Sequence, residues 1–110
     1  MNPDKSAELL IVLTTFASLE DAKKIAYQLI ENRLAACIQI HEGVHSIYRW
    51  DGKICEGREV LLSAKTMADK WIDISSFLKG HHPYDVPEVV ACTPDKYEAH
   101  YGKWVESEVK

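Results

Sequence analysis

The chain has 110 residues, of which 46% are hydrophobic and 27% charged, and a formal net charge of −4. That length supports one domain that buries about 65% of its surface without staples, and scattered basic residues in an acidic chain exclude a phosphate-neutralising face, and with it nucleic acid as a partner. No apolar run reaches the ~18 residues of a membrane span, and Met1-Asn2-Pro3-Asp4-Lys5-Ser6 lacks the basic region, apolar core and cleavage site of a signal peptide, so the cytoplasm is the expected location and no membrane partner is expected.

Residues 1–7 are expected to form a short tail and residues 8–110 a single domain. Leu9-Leu10-Ile11-Val12-Leu13 is a continuous apolar run too short for a helix, which predicts a central buried strand over 8–15. Ser18 stands three residues before Asp21, and Leu19, Ala22, Ile25, Ala26, Leu29 and Ile30 recur at helical spacing, which predicts a helix from 19 to about 32. From 35 to 50 β-formers alternate with polar residues around Gly43, the pattern of a long strand bent or bulged at the glycine. Asp51-Gly52 is a type I′ hairpin signal, returning the chain into a third strand that reaches about residue 65.

Thr66 is expected to cap the next helix, with Met67, Trp71, Ile74 and Leu78 as its buried stripe and Gly80 as its stop. Pro83 and Pro87 hold the following loop extended, and Val89-Val90-Ala91-Cys92 reads as a fourth, short strand. Thr93-Pro94 then looks like a cap with proline at the first helical position, opening a last helix with Tyr97, Tyr101, Trp104 and Val105 on one side. The order is β-α-β-β-α-β plus a C-terminal helix, an α+β ferredoxin-like sandwich with two helices on one sheet face. Strand one is apolar on both sides, so the other face is expected to be covered by the last helix or by another copy of the chain.

Three cysteines form an odd set without a CxxC pair, which argues against a disulfide framework and a structural zinc site. Cys37 and Cys92 lie in apolar segments and are expected as buried free thiols, whereas Cys55 lies among polar residues and is expected at the surface. His41-Glu42-Gly43-Val44-His45 fits the HExxH letters of zinc proteases, but that chemistry needs both histidines on adjacent turns of a helix. In this extended segment they would lie on one face, about 13 Å apart. The better metal candidate is His81-His82-Pro83-Tyr84-Asp85-Val86-Pro87-Glu88, where imidazoles and carboxylates share a proline-stiffened loop; histidines after a helix also cap its carbonyls. No nucleophile elbow or phosphate loop is present, so no enzyme is expected, apart from the chance convergence of Glu59, Lys65 and Glu88.

Four stretches in order, Arg33-Leu34-Ala35-Ala36-Cys37, Tyr48-Arg49-Trp50-Asp51-Gly52-Lys53, Glu59-Val60-Leu61-Leu62-Ser63-Ala64-Lys65-Thr66 and His82-Pro83-Tyr84-Asp85-Val86-Pro87-Glu88, resemble the CutA family of divalent-cation-tolerance proteins over about residues 8–108. The resemblance implies a homotrimer of ferredoxin-like subunits with clefts between neighbours, a role in metal homeostasis, and copper or another divalent metal ion held through His81 and His82. It also implies that Tyr48, Trp50, Lys65, Tyr84 and Glu88 stand at the cleft, as ligand contacts or as trimer packing with Lys65 paired to a carboxylate. In copper-binding bacterial relatives a cysteine near the end of strand one completes the ligand set; that position is Thr14 here, and a hydroxyl is a poor substitute for a soft thiolate. The alternative function is a trimeric small-ligand-binding or scaffold module, with Lys65 receiving an anion.

Overall fold

The structure, a computed structural model, describes residues 7–110; the expected tail over 1–7 therefore lies, apart from Ala7, outside the described residues. Four strands, β1 (Leu9–Phe16), β2 (Cys37–Trp50), β3 (Lys53–Met67) and β4 (Val90–Cys92), alternate with helices α1 (Leu19–Glu31), α2 (Trp71–His81) and α3 (Ala99–Glu108). The sheet has the order β2-β3-β1-β4 with every neighbour antiparallel. This is the ferredoxin-like arrangement with an added helix.

Alternation along the strands sorts their residues onto two faces. Leu10, Val12 and Phe16 of β1 and Val60, Leu62 and Ala64 of β3 meet Ala22, Ile25, Ala26 and Leu29 of α1 and Ile74 and Leu78 of α2 in the main core. Each large side chain of that core contributes about 1.5–3 kcal/mol relative to exposure. On the far face Leu9 and Met67 pack with Val105 and Val109 at the C-terminal end of the chain, joined by Ile11 and Ala36. The last helix thus covers one end of the far face, and Leu13, Leu61 and Lys65 further along are only half-buried.

Local chemistry accounts for most boundaries. Ser18 caps α1, its Oγ accepting from the Asp21 N–H at 3.1 Å. After α1 the chain turns through Arg33 at φ 55°, and the Leu34 N–H returns to the Leu29 carbonyl at 2.9 Å. Asp51 and Gly52 have φ 52° and 76°, the pair of positive values that a type I′ turn needs. Gly43, at φ 75°, sits in a bulge between His41, opposite Leu61, and Val44, opposite Glu59.

Three expectations need correction. Thr66 does not cap a helix: β3 continues through Met67, a 3-10 turn spans Ala68–Lys70, and α2 starts at Trp71. Sheet pairing of Thr66 with Leu10 overrides its local capping preference, and its hydroxyl is buried without a partner. Of the expected stripe only Ile74 and Leu78 fill the main core, while Met67 joins the far-face cluster; the helix passes Gly80 by one residue. Thr93-Pro94 does not open α3 either. Glu98 caps it, its carboxylate accepting from the His100 and Tyr101 N–H groups at 3.0 Å each, and Tyr97 precedes the helix and lays its ring on Gly102.

The bulge decides the fate of the HExxH segment. His41 pairs with Leu61 and His45 with Arg58, residues of opposite parity on β3, so the two imidazoles point to opposite faces of the sheet. They were expected on one face; the extra residue of the bulge reverses the alternation between them.

Candidate functional site

The polar corner of the molecule is built where β1 ends, β2 passes its bulge and the loop after α2 crosses the sheet. The chain leaves α2 with His82 as the C-terminal cap, its N–H still bonded to the Leu78 carbonyl at 2.9 Å. Its ring then stacks on Phe16 with centroids 4.4 Å apart and planes 7° from parallel. His82 Nε2 lies 2.8 Å from the Thr15 carbonyl oxygen, and the Tyr84 N–H donates to His82 Nδ1 at 3.0 Å. Because an N–H can only donate, Nδ1 is the acceptor nitrogen and Nε2 carries the proton that binds Thr15. The imidazole is 9% exposed, and that burial lowers its pKa, against the opposing pull of the Thr15 carbonyl and of Asp21 and Glu59.

Tyr84 then reaches over the sheet, and its hydroxyl donates to Glu59 Oε2 at 2.8 Å. Burial pushes the Glu59 carboxyl up, but hydrogen bonds from Ser46, Tyr84 and Thr15, with the field of His82, outweigh it and hold the group below 4.5. Tyr84 is driven well above its ordinary value by its own burial, then by the Glu59 bond and charge, with smaller contributions from Tyr48 and Asp21. A phenol that keeps its proton facing a carboxylate that loses it is a strong, one-way hydrogen bond. Sequence reading passed over Ser46 and Thr15, and treated Glu59 only as one member of an acid-base set. They come from three strands, Thr15 near the end of β1, Ser46 within β2 and Glu59 within β3, and their separation in sequence conceals the convergence.

The expected cleft residues divide into groups. Tyr84 bonds Glu59, which was not among them, and Tyr48 lies close enough for its charge to bear on Tyr84. Trp50 stands at the far end of the hairpin, paired with Lys53 and exposed. Glu88 is exposed. Lys65 lies on the same face as Glu59 but six residues along the strand, about 20 Å away, so Glu59, Lys65 and Glu88 do not converge within one chain. Nor does Lys65 pair with a carboxylate among the described residues; its Nζ donates to Gln39 Oε1 at 2.6 Å and to Ser63 Oγ at 3.3 Å.

The metal ligands implied by resemblance are likewise apart in their roles. His81 stacks on Phe77 with centroids 4.0 Å apart and places Nδ1 2.9 Å from the Phe77 carbonyl, leaving Nε2 toward solvent. His82 has both nitrogens engaged. Thr14, at the position of the bacterial cysteine, is 0% exposed on the side that faces the helices, its hydroxyl without a partner. Among the described residues no three His, Cys, Asp or Glu side chains stand together as a metal group. The described residues of a single chain therefore do not by themselves supply the ligand set of a resident metal ion. Of the cysteines, Cys92 is exposed on the edge strand and Cys37 and Cys55 are half-buried; the three-residue β4 is too short and too near the edge to bury the thiol expected there.

Comparison with known proteins agrees with this architecture. Residues 10–108 match the family described as CutA1 divalent ion tolerance protein. The divalent-cation tolerance protein CutA of Thermus thermophilus is 42% identical over 86% of this chain and 92% of its own, and that of Thermococcus kodakarensis 39% identical over 89% and 93%. The crystal structure of CutA from Xylella fastidiosa superposes with a TM-score of 0.90 at 32% identity, covering 94% of this chain and 99% of that one. With the strand order, the added helix and nearly the whole length in agreement, the chain belongs to the CutA family of divalent-cation-tolerance proteins.

Proposed function

We propose that this chain serves divalent-cation tolerance as a homotrimer, with the Glu59-Tyr84-Tyr48 corner at the boundary between neighbouring copies. The observation that carries the reading is the β2-β3 hairpin. It stretches the molecule to 49 × 29 × 24 Å and its radius of gyration to 14.9 Å, against about 13 Å for a compact chain of this length. Ile47 and Ile54 on one of its faces are 68% and 71% exposed, and Tyr48 and Trp50 on the other are about half exposed. A projecting ribbon that exposes large apolar side chains on both faces, among charged ones, is stable when wrapped by protein. The half-covered far face of the sheet offers a second copy the complementary surface, and three copies is the number the family resemblance implies.

Divalent ions, copper among them, enter this reading as cargo met at the assembled surface. His81 Nε2 is the imidazole nitrogen of the loop that stands free for it, and borderline ions suit that donor. No catalytic step is assigned. Free thiols fit a reducing compartment such as the cytoplasm. Sedimentation equilibrium of the wild type and of Ile47→Asp/Trp50→Asp tests the assembly: a trimer that the double variant dissociates is expected, and a wild-type monomer refutes it. Calorimetric titration with Cu(II), Zn(II) and Ni(II), with His81→Ala as comparison, tests the cargo; equally weak binding by both proteins counts against it.

A second reading rests on Lys65, whose ammonium is held by the neutral Gln39 and Ser63. A small anionic ligand would supply the missing counter-charge. Direct binding of a carboxylate or phosphate probe that Lys65→Ala abolishes supports this reading, and unchanged binding removes it.

A further inference from the structure

We propose that His82 is a positioning residue and not a metal ligand in this protein: a neutral imidazole clamp that fastens the 83–88 loop to the end of β1 and so aims the Tyr84 phenol at Glu59. Each face of the ring is accounted for by a different part of the fold. Its plane lies on Phe16 and tilts against Tyr84, with centroids 4.4 and 4.8 Å away. Its Nε2–H donates to the Thr15 carbonyl at 2.8 Å and its Nδ1 accepts the Tyr84 N–H at 3.0 Å. The first bond spans 67 residues of sequence and the second spans two, so one side chain joins a strand end to the loop that follows α2.

The tautomer is dictated from both sides. The Thr15 oxygen accepts only, the Tyr84 N–H donates only, and a single neutral ring satisfies both when the proton is on Nε2. An ion at Nδ1 would displace the Tyr84 N–H, and an ion at Nε2 would displace the Thr15 carbonyl; the first leaves a half-buried donor and the second a buried acceptor without its partner. Thr14 adds no incentive, because its side chain is enclosed on the helix side. The paired histidines thus divide their labour: His81 keeps an exposed Nε2, while His82 is consumed by the fold. Since Tyr84 is held at its amide by His82 and at its hydroxyl by Glu59, the clamp fixes the corner before any ligand arrives. This holds in a single chain and does not depend on trimer formation.

Nitrogen-resolved NMR of the uniformly labelled wild type at neutral pH tests the proposal directly. The expected spectrum has a protonated, pyrrole-type Nε2 and a pyridine-type Nδ1 for His82, and both signals persist when Zn(II), diamagnetic and so free of paramagnetic broadening, is added in excess. A proton on Nδ1, or zinc-induced loss of either His82 signal, overturns it. His82→Phe retains a ring to stack on Phe16 but removes both hydrogen bonds, so amide exchange at Tyr84 should accelerate about tenfold while that at Ala22 in α1 stays as in the wild type. Unchanged exchange at Tyr84 overturns the clamp. If this variant does not fold, the wild-type tautomer and its response to zinc decide the question alone.

Discussion

Replacing Tyr84 with phenylalanine removes one oxygen and leaves the ring, so it isolates the hydrogen bond to Glu59 Oε2 at 2.8 Å. A hydrogen bond to a charged partner is worth about 1.5–3 kcal/mol when buried. Glu59 is only half-buried, with the Ser46 and Thr15 hydroxyls also favouring its charged form, so solvent screening reduces the expected loss to about 1 kcal/mol at neutral pH. For a domain of this size that is a fall in melting temperature of about 4 °C at fixed protomer concentration. The pH dependence has a definite sign. Glu59 is held below 4.5 in the folded protein, so its stabilising contribution is present above the unfolded value and disappears as pH falls through the folded one. Urea unfolding of both proteins at about pH 7 and about pH 3 should show a gap that narrows in acid, since a protonated Glu59 no longer rewards the phenol. Loss of other native ion pairs in acid affects both proteins alike and cancels in the difference. A gap of equal size at both pH values, or none at neutral pH, would refute the assignment of Tyr84 as donor to an ionised Glu59.

Two glycines in helices should respond oppositely to alanine. At Gly80 a Cβ meets nothing within 4 Å, so Gly80→Ala should stabilise the protein by about 0.5 kcal/mol through helix propensity. At Gly102 the new carbon would lie 2.6 Å from the Tyr97 ring, and displacing that ring should outweigh the propensity gain, for a net loss of about 1 kcal/mol; denaturant melts of the pair give both signs. Gly43→Ala has open space around it but a φ of +75°, so it should cost about 1 kcal/mol from backbone strain alone, with amide shifts confined to the β2 bulge.

Much of the fold was legible because its determinants are local. An unbroken apolar run makes β1, Ser18 caps α1 with its own side chain, and Asp51-Gly52 and Gly43 take positive φ where a turn and a bulge need it. Each of these preferences is satisfied by residues within a few positions of one another. The added helix was foreseen but misplaced, because Thr93-Pro94 and Glu98 are both competent local starts, and the one adopted also lets Tyr97 rest on Gly102.

The candidate site was legible in residue type and not in arrangement. The sequence identified the His81–Glu88 loop as chemistry-bearing, since imidazoles and carboxylates cluster there with prolines that restrict the chain, and the family resemblance added Tyr48 and Tyr84. It could not tell that the bulge sends His41 and His45 to opposite faces, that Lys65 meets Gln39 instead of a carboxylate, or that His82 reaches back to Thr15. Those outcomes depend on strand register and on which groups are brought together across 26 and 67 residues of chain. By itself the sequence determined which segments become strands and helices, because backbone preference and apolar periodicity act at short range. Only the tertiary structure decided which hydrogen-bonding atoms remain free, because every buried donor and acceptor must find its partner wherever packing has placed one.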